Sequence, residues 1–323
     1  MPNSLEMIDE AWERFRREPE RLETYLAELL DKIERERGAV SPDFVTVSNE
    51  LGSFYRTHAM YEKGEEAFLR ALSSIERLVG RGDYYAICMG NLGELYRLWG
   101  RPEDAGRCLD IAETCFEDKG SAEFAACLNY RGHLCSTMGR LEDARRHYRH
   151  ALELVSAIEG HEYEVEAALG NLASACEALG DYEEAYGLLL RAKAFYDDGA
   201  LAPRAHYVSL LNSIALALER LGRDGEAREV YLEEIDAMRT TPVSPVDAAV
   251  SFANAGDFFH RTGDTSRLAQ IKDELGHIAA TPGIGDNHIV LRSLERARAW
   301  EWGRTALDPF GPGCPGGALR AAT

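Results

Sequence analysis

Apolar and small residues recur along this chain with two superposed periods. Within short windows the apolar positions fall at i, i+3, i+4 and i+7, as in Leu92-x-x-Leu95-Tyr96 and Leu134-Cys135-x-x-Met138. That spacing marks one buried face of an α-helix. A longer unit repeats over most of the chain. Segments 50–68, 91–109, 130–148, 171–189, 213–231 and 254–272 align without gaps. Near the start of each stands a small residue: Gly52, Gly93, Gly132, Ala173, Ala215 and Gly256, at spacings of 41, 39, 41, 42 and 41 residues. Seven positions later come Ala59, Gly100, Gly139, Gly180, Gly222 and Gly263, and five beyond those Gly64, Ala105, Ala144, Ala185, Ala227 and finally Leu268.

Each column has a physical reading. The first and third are small where two antiparallel helices cross and their backbones approach. The second is mostly glycine because a helix ends there in a cap of positive φ. Each unit is therefore a helix of about four turns, a tight turn and a second helix of similar length. One such hairpin cannot bury both apolar stripes, so neighbours stack and the core runs along the array. The linking segments 80–83, 117–123, 197–203, 240–247 and 281–287 read as loops, with Pro203 and Pro245 near helix starts. Residues 1–44 read as a helical pair broken near Pro19, a degenerate unit or cap, followed by six repeats over 45–280. A closing helix is expected within 281–306, with Leu291, Leu294, Ala297 and Trp300 at helical spacing. The Gly- and Pro-rich tail, 307–323, is expected to be disordered.

The Leu-Gly-x-x-Tyr of Leu92, Gly93 and Tyr96, followed by Ala105, resembles the tetratricopeptide repeat, as does Leu51-Gly52-x-x-Tyr55 with Tyr61, Phe68 and Ala71. The resemblance covers roughly residues 45–275. The family's usual period is ~34 residues, so the longer period here is similar to that of kinesin-light-chain-like and regulator-type members. It implies an all-α, right-handed α-solenoid, a superhelix whose concave side is lined by the first helix of each hairpin.

In that family, with the first small residue numbered position 8, positions 2, 5, 6, 9, 12 and 13 usually face the groove. Asparagine recurs there once per unit: Asn49, Asn91, Asn129, Asn171, Asn212 and Asn254. An asparagine amide both donates and accepts, so such a column can hold the backbone of an extended peptide. The same amides can instead pair with the adjacent unit, and both readings stay open. Arg56 and Arg97 lie early in the array with Glu94 and His133, whereas Glu177, Glu219 and Asp257 lie late. On one reading a ligand meets basic groups first and acidic groups last, which fixes its direction. On the other these charges form a solvated mixed face whose pairs are worth only ~0–1 kcal/mol each, and both stay open. The carboxylate clamp of some family members is absent, since the first unit has Asn49 and Ser53 at the relevant positions.

Composition narrows the function classes. With 55 acidic and 36 basic residues the chain carries a formal charge of −19, against binding to phosphate backbones. At 45% hydrophobic residues it is not a disordered chain. No apolar run approaches the ~18 residues of a membrane span, and the first residues do not read as a secretory signal. The seven cysteines, with no Cys-x-x-Cys, read as reduced packing residues of a cytoplasmic protein. His147 and His150 share a helix face, but Arg140, Arg145, Arg146 and Arg149 crowd them and further ligands are missing. The segment 283–287 follows no strand, and no nucleophile elbow or phosphate-binding loop occurs. The expectation is a non-catalytic scaffold or adaptor with no cofactor and no metal, binding a protein or peptide segment in its groove. The alternative is a ligand-sensing module that acts on a separate output protein. Trp300 and Trp302 leave a homodimer open beside a monomer.

Overall fold

A computed structural model of the chain describes residues 4–15, 18–202 and 205–300, which form fifteen α-helices and no strand among them. The fold is an all-α repeat solenoid, and it divides into two compact units after residue 158. The expected tail at 307–323, Trp302, Pro203 and the end of the closing segment lie outside the described residues.

The first unit opens with α1 (Ser4–Phe15) and α2 (Pro19–Arg37). Three hairpins follow: α3 (Pro42–Thr57) with α4 (Tyr61–Val79), α5 (Asp83–Leu98) with α6 (Pro102–Cys115), and α7 (Ala122–Thr137) with α8 (Leu141–Val155). The opening pair is part of the core. Ile8, Phe15, Leu22, Leu26 and Ile33 pack with Phe44, Val47, Leu51 and Phe54, and the Trp12 indole donates to Glu50 Oε1 at 2.6 Å. The second unit holds α9 (Glu162–Leu179) with α10 (Tyr182–Asp197), α11 (Ala205–Arg220) with α12 (Asp224–Thr240), α13 (Pro245–Thr262) with α14 (Thr265–Ala279), and last α15 (His288–Ala299).

The small-residue columns do what their spacing implies. A Cβ on Gly52 would lie 2.6 Å from the Phe68 ring, and one on Gly132 would lie 2.3 Å from the Tyr148 ring. In these two hairpins the second helix thus drops an aromatic knob onto bare backbone of the first. Where the first helices end, all six residues of the second column have positive φ: Ala59 at 56° and the five glycines between 70° and 88°. The next residue's N–H closes each turn by donating to the carbonyl five residues back. Met60 reaches Tyr55 at 2.9 Å, Arg101 reaches Tyr96 at 2.8 Å and Asp264 reaches Phe259 at 2.9 Å. One detail of the closing helix differs from expectation. Its buried stripe is Val290, Ser293, Ala297 and Trp300, while Leu291 is exposed. The neighbour it packs on lies about one residue around the helix from the face that hydrophobicity alone selects.

Five of the six described cysteines are buried. Burial pushes the Cys88, Cys108 and Cys127 thiols up to about 12, so they pack as apolar groups. Glu234 on α12 is fully buried and neither of its oxygens makes a hydrogen bond of normal geometry. Desolvation raises its pKa to about 8, and the Ser251 hydroxyl offsets only part of that shift.

Two predictions follow from these packing facts. Ala59 is the only non-glycine with positive φ among the described residues, a conformation that costs roughly 1 kcal/mol for a residue bearing a Cβ. Ala59→Gly should therefore raise stability by about 0.5–1 kcal/mol in urea denaturation, less the extra chain entropy of glycine. For Glu234, the folded form holds a proton that the unfolded chain releases above its ordinary pKa of 4.5. Stability must then fall as pH rises through 4.5 and on to about 8. Glu234→Gln should match the parent near pH 4 and exceed it by a few kcal/mol at pH ~8.5. An unchanged difference across that range would show that the carboxyl is solvated.

Candidate functional site

The polar residues singled out along the first helices form a bonded ladder in the first unit. Asn91 Nδ2 donates to Asn49 Oδ1 at 3.2 Å, carrying α5 onto α3. The Tyr130 hydroxyl of α7 donates to Asn91 Oδ1 at 3.1 Å and accepts from Arg56 Nη1 at 3.3 Å. Four side chains on three consecutive first helices are thereby tied together. The alternating register explains the reach: Asn49 sits three residues before its column glycine and Asn91 two before. Each amide therefore meets its neighbour diagonally.

Beside the ladder lies a buried ion cluster. Arg97 holds Glu94 by two hydrogen bonds of 2.7 Å, from Nε to Oε2 and from Nη2 to Oε1, and its Nη1 donates to Thr137 Oγ1 at 3.2 Å. His133 Nδ1 lies 3.5 Å from Glu94 Oε1 and makes no hydrogen bond of normal geometry. Burial alone would raise the Glu94 pKa. The bonds from Arg97, with His133 beside them, more than reverse this and hold the carboxyl at about 2. Arg56, only 6% exposed, has Tyr130 as its hydrogen-bond partner and stacks 5.8 Å over the same ring. Asn129 Oδ1 is buried with no hydrogen-bond partner, so part of this face keeps unused bonding capacity.

The second unit repeats the ladder with different chemistry. Asn254 Nδ2 donates to Asn212 Oδ1 at 3.1 Å. Glu219 accepts from the Tyr231 hydroxyl at 2.6 Å and from Arg261 Nη2 at 2.8 Å. Asp257 is taken by α15, through Arg296 Nε at 3.0 Å and the Trp300 indole N–H at 2.7 Å. Asn171 and Glu177 lie on α9. Burial raises Glu177 to about 7, with Arg220 pulling the other way, and its Oε1 makes no hydrogen bond. Glu166, on the same helix and hydrogen-bonded by Tyr196, is likewise raised to about 7 by burial.

The structure therefore spends Asn49, Asn91, Asn212 and Asn254 on pairing adjacent repeats, the second of the two uses their amides allowed. Arg56, Glu94 and Arg97 partner one another or their neighbours and do not stand as free charges. Tyr130, Thr137, Arg296 and Trp300 complete these networks, and none of them is a residue type that recurs at its position. The one available signal was that Tyr130 takes the register held by Asn91, Asn171 and Asn254 in other hairpins. Among the described residues no group of three or more His, Cys, Asp or Glu side chains is placed to hold a metal ion.

Residues 43–117 and 123–198 match the family model described as tetratricopeptide repeat. No curated protein sequence matches the chain. Among solved structures, BtubC (BKLC) from P. vanneervenii superposes with a TM-score of 0.60 at 18% identity, covering 69% of this chain and 92% of its own. A signal transduction ATPase with numerous domains from Pyrococcus horikoshii, carrying a tetratricopeptide repeat sensor, gives a TM-score of 0.69 at 14% identity. The match spans 93% of this chain and 44% of that one. A Rap protein complexed with Competence and Sporulation Factor gives 0.50 at 15% identity, covering 93% and 97%. At such identities these likenesses establish the fold alone.

Glu94 supplies the stability test of this face. Its folded pKa lies below the unfolded value of 4.5, so its contribution is complete above that pH and lost as pH falls toward about 2. Glu94→Gln should cost about 3 kcal/mol at pH 7, because it leaves the Arg97 guanidinium buried without its counter-charge. Denaturant titrations between pH 7 and pH ~2.5 should show that deficit closing as the parent's carboxylate protonates.

Proposed function

From the premise that this chain is a tetratricopeptide-repeat protein, we propose that it is a non-catalytic adaptor that binds a peptide or protein segment along the first-helix face. Tetratricopeptide repeats generally mediate protein–protein interaction. The observation that carries the finer reading is the face formed by α3, α5 and α7. Hydrogen bonds between its first helices hold it in place, and the buried Asn129 Oδ1 keeps an acceptor without a partner. A surface ordered before binding loses little side-chain entropy on binding. Polar groups with spare capacity suit the N–H and C=O groups of an extended segment. Because Arg56 and Glu94 are internally partnered, we place recognition on Asn129, His133 and Asn171 in preference to the charged pair. Residence in the cytoplasm is part of the same proposal. No helix among the described residues is long and apolar enough to cross a membrane.

A ligand-sensing role is the second reading. It is favoured by the likeness over 93% of the chain to a protein whose repeats are described as a sensor. Under that reading a ligand shifts the equilibrium between two arrangements of the repeats, and a separate protein reads the change.

The discriminating experiment is affinity purification of the crosslinked full-length protein from its native cells, comparing the parent with Asn129→Ala/His133→Ala. Binding along this face predicts at least a tenfold loss of specific partners at unchanged helical circular dichroism. Undiminished capture by the folded double variant would remove the face from the account. Partners lost instead on Glu183→Arg/Glu184→Arg, on the second helix α10, would move recognition to the opposite side.

A further inference from the structure

The last hairpin breaks the packing rule of the others, and the break lies where α15 sits. Sixteen residues after the first small column the second helices present Phe68, Leu109, Tyr148, Leu189 and Tyr231, but the sixth hairpin has Lys272. The third column, small elsewhere, becomes Leu268. The apolar knob that should cover Gly256 is therefore missing from α14. Trp300, at the end of α15, supplies it: a Cβ on Gly256 would come within 2.0 Å of the indole.

Polar groups complete the seat. Asp257 Oδ1 accepts the Trp300 indole N–H at 2.7 Å, while its Oδ2 accepts from Arg296 at 3.0 and 2.5 Å. Arg296 Nη2 also reaches Asn254 Oδ1 at 2.9 Å, ending the asparagine ladder of this unit. One guanidinium and one indole, four residues apart on one helix face, thus satisfy a carboxylate, an amide and a glycine slot. The helix is also placed unlike its predecessors. Outside their own hairpins, α5 packs more on α4 than on α3, α11 packs on α10, and α7 and α13 pack equally on both helices of the preceding hairpin, whereas α15 packs more on the first helix, α13, than on α14. It sits mainly against the first helix of the last hairpin.

We propose that this part of α13 is a recognition seat for a helix bearing an arginine and a tryptophan one turn apart, and that α15 is its built-in, displaceable occupant. At twelve residues, α15 is at the lower limit of length for a helix stable by itself. It is joined to α14 by a loop containing Pro282, Gly283 and Gly285. Its buried surface is a single stripe, and Leu291 on another face is exposed. Release of α15 would uncover the Asp257 carboxylate and the Gly256 slot together, so a partner helix of the same chemistry competes with it directly. The proposal rests on the adaptor reading only in taking a first-helix face as the binding side.

Two measurements on the full-length chain decide it. In hydrogen exchange of the parent, amides of α15 should exchange at least tenfold faster than those of α13, by local opening while the second unit stays folded. Equal rates in the two helices would make α15 an integral cap and overturn the proposal. In the second measurement, a fluorescein-labelled peptide of residues 287–300 is titrated onto the parent and onto Arg296→Glu/Trp300→Ala, whose seat is vacated. The variant should bind at least tenfold more tightly than the parent, and a peptide with alanine in place of its tryptophan should not bind. A folded variant that ignores the peptide also overturns the proposal. If the variant fails to fold, the exchange comparison in the parent decides alone. Neither result depends on Asn129 or His133, so failure here leaves the adaptor test untouched.

Discussion

The interhelical distance inside each hairpin is the constraint on which everything else depends. A second helix can lay Phe68 or Tyr148 onto the first only because Gly52 and Gly132 present bare backbone there. A Cβ at either position would run into the ring of its own hairpin and force the two helices apart. The turn must deliver the second helix into that contact within a few residues. A left-handed residue followed by a hydrogen bond back five positions does so in all six hairpins. Core packing and turn geometry thus specify the same hairpin independently, and that agreement between local and tertiary preference makes a repeat reliable.

Close packing of the hairpins leaves the polar residues of the first helices facing one another at hydrogen-bonding range. In the first unit they resolve into a neutral amide–phenol ladder and an ion cluster in which Arg97 overcomes the desolvation of Glu94. In the second unit Glu166 and Glu177 are buried without a comparable cationic hydrogen-bond partner, and their pKa values rise to about 7. First-helix carboxyls thus carry opposite electrostatic character because one is held by a guanidinium fork and the others are not. Acid loosens the first arrangement and relieves the second.

The fold was largely legible because its determinants are local and recur. Glycine at a helix end and alanine at a crossing are read from one sequence by aligning it with itself. The candidate site was legible only as a set of positions. The asparagine column was visible, but whether each amide faces a ligand or a neighbour depends on a distance of about 3 Å between residues some forty apart in sequence. Tyr130 and Arg296 went unseen for the same reason, since each acts once and leaves no periodic trace. The closing helix shows the limit well: Leu291 and Trp300 share the stripe expected from sequence, but only the indole is buried, against Gly256 where α14 offers Lys272.

By itself, then, the order of residues determined the helix–turn–helix unit, its number of copies, its sharp turns and the absence of any composition suited to nucleic acid. These follow from backbone conformation and side-chain volume, which act within a single hairpin. Tertiary structure decided which polar groups are consumed in holding repeats together, which carboxyls stay protonated near neutrality, and that α15 packs mainly on α13. Those outcomes turn on burial and on angles between elements distant in the chain. The energy of a charge or an amide is set by what surrounds it in space, not by its neighbours in sequence.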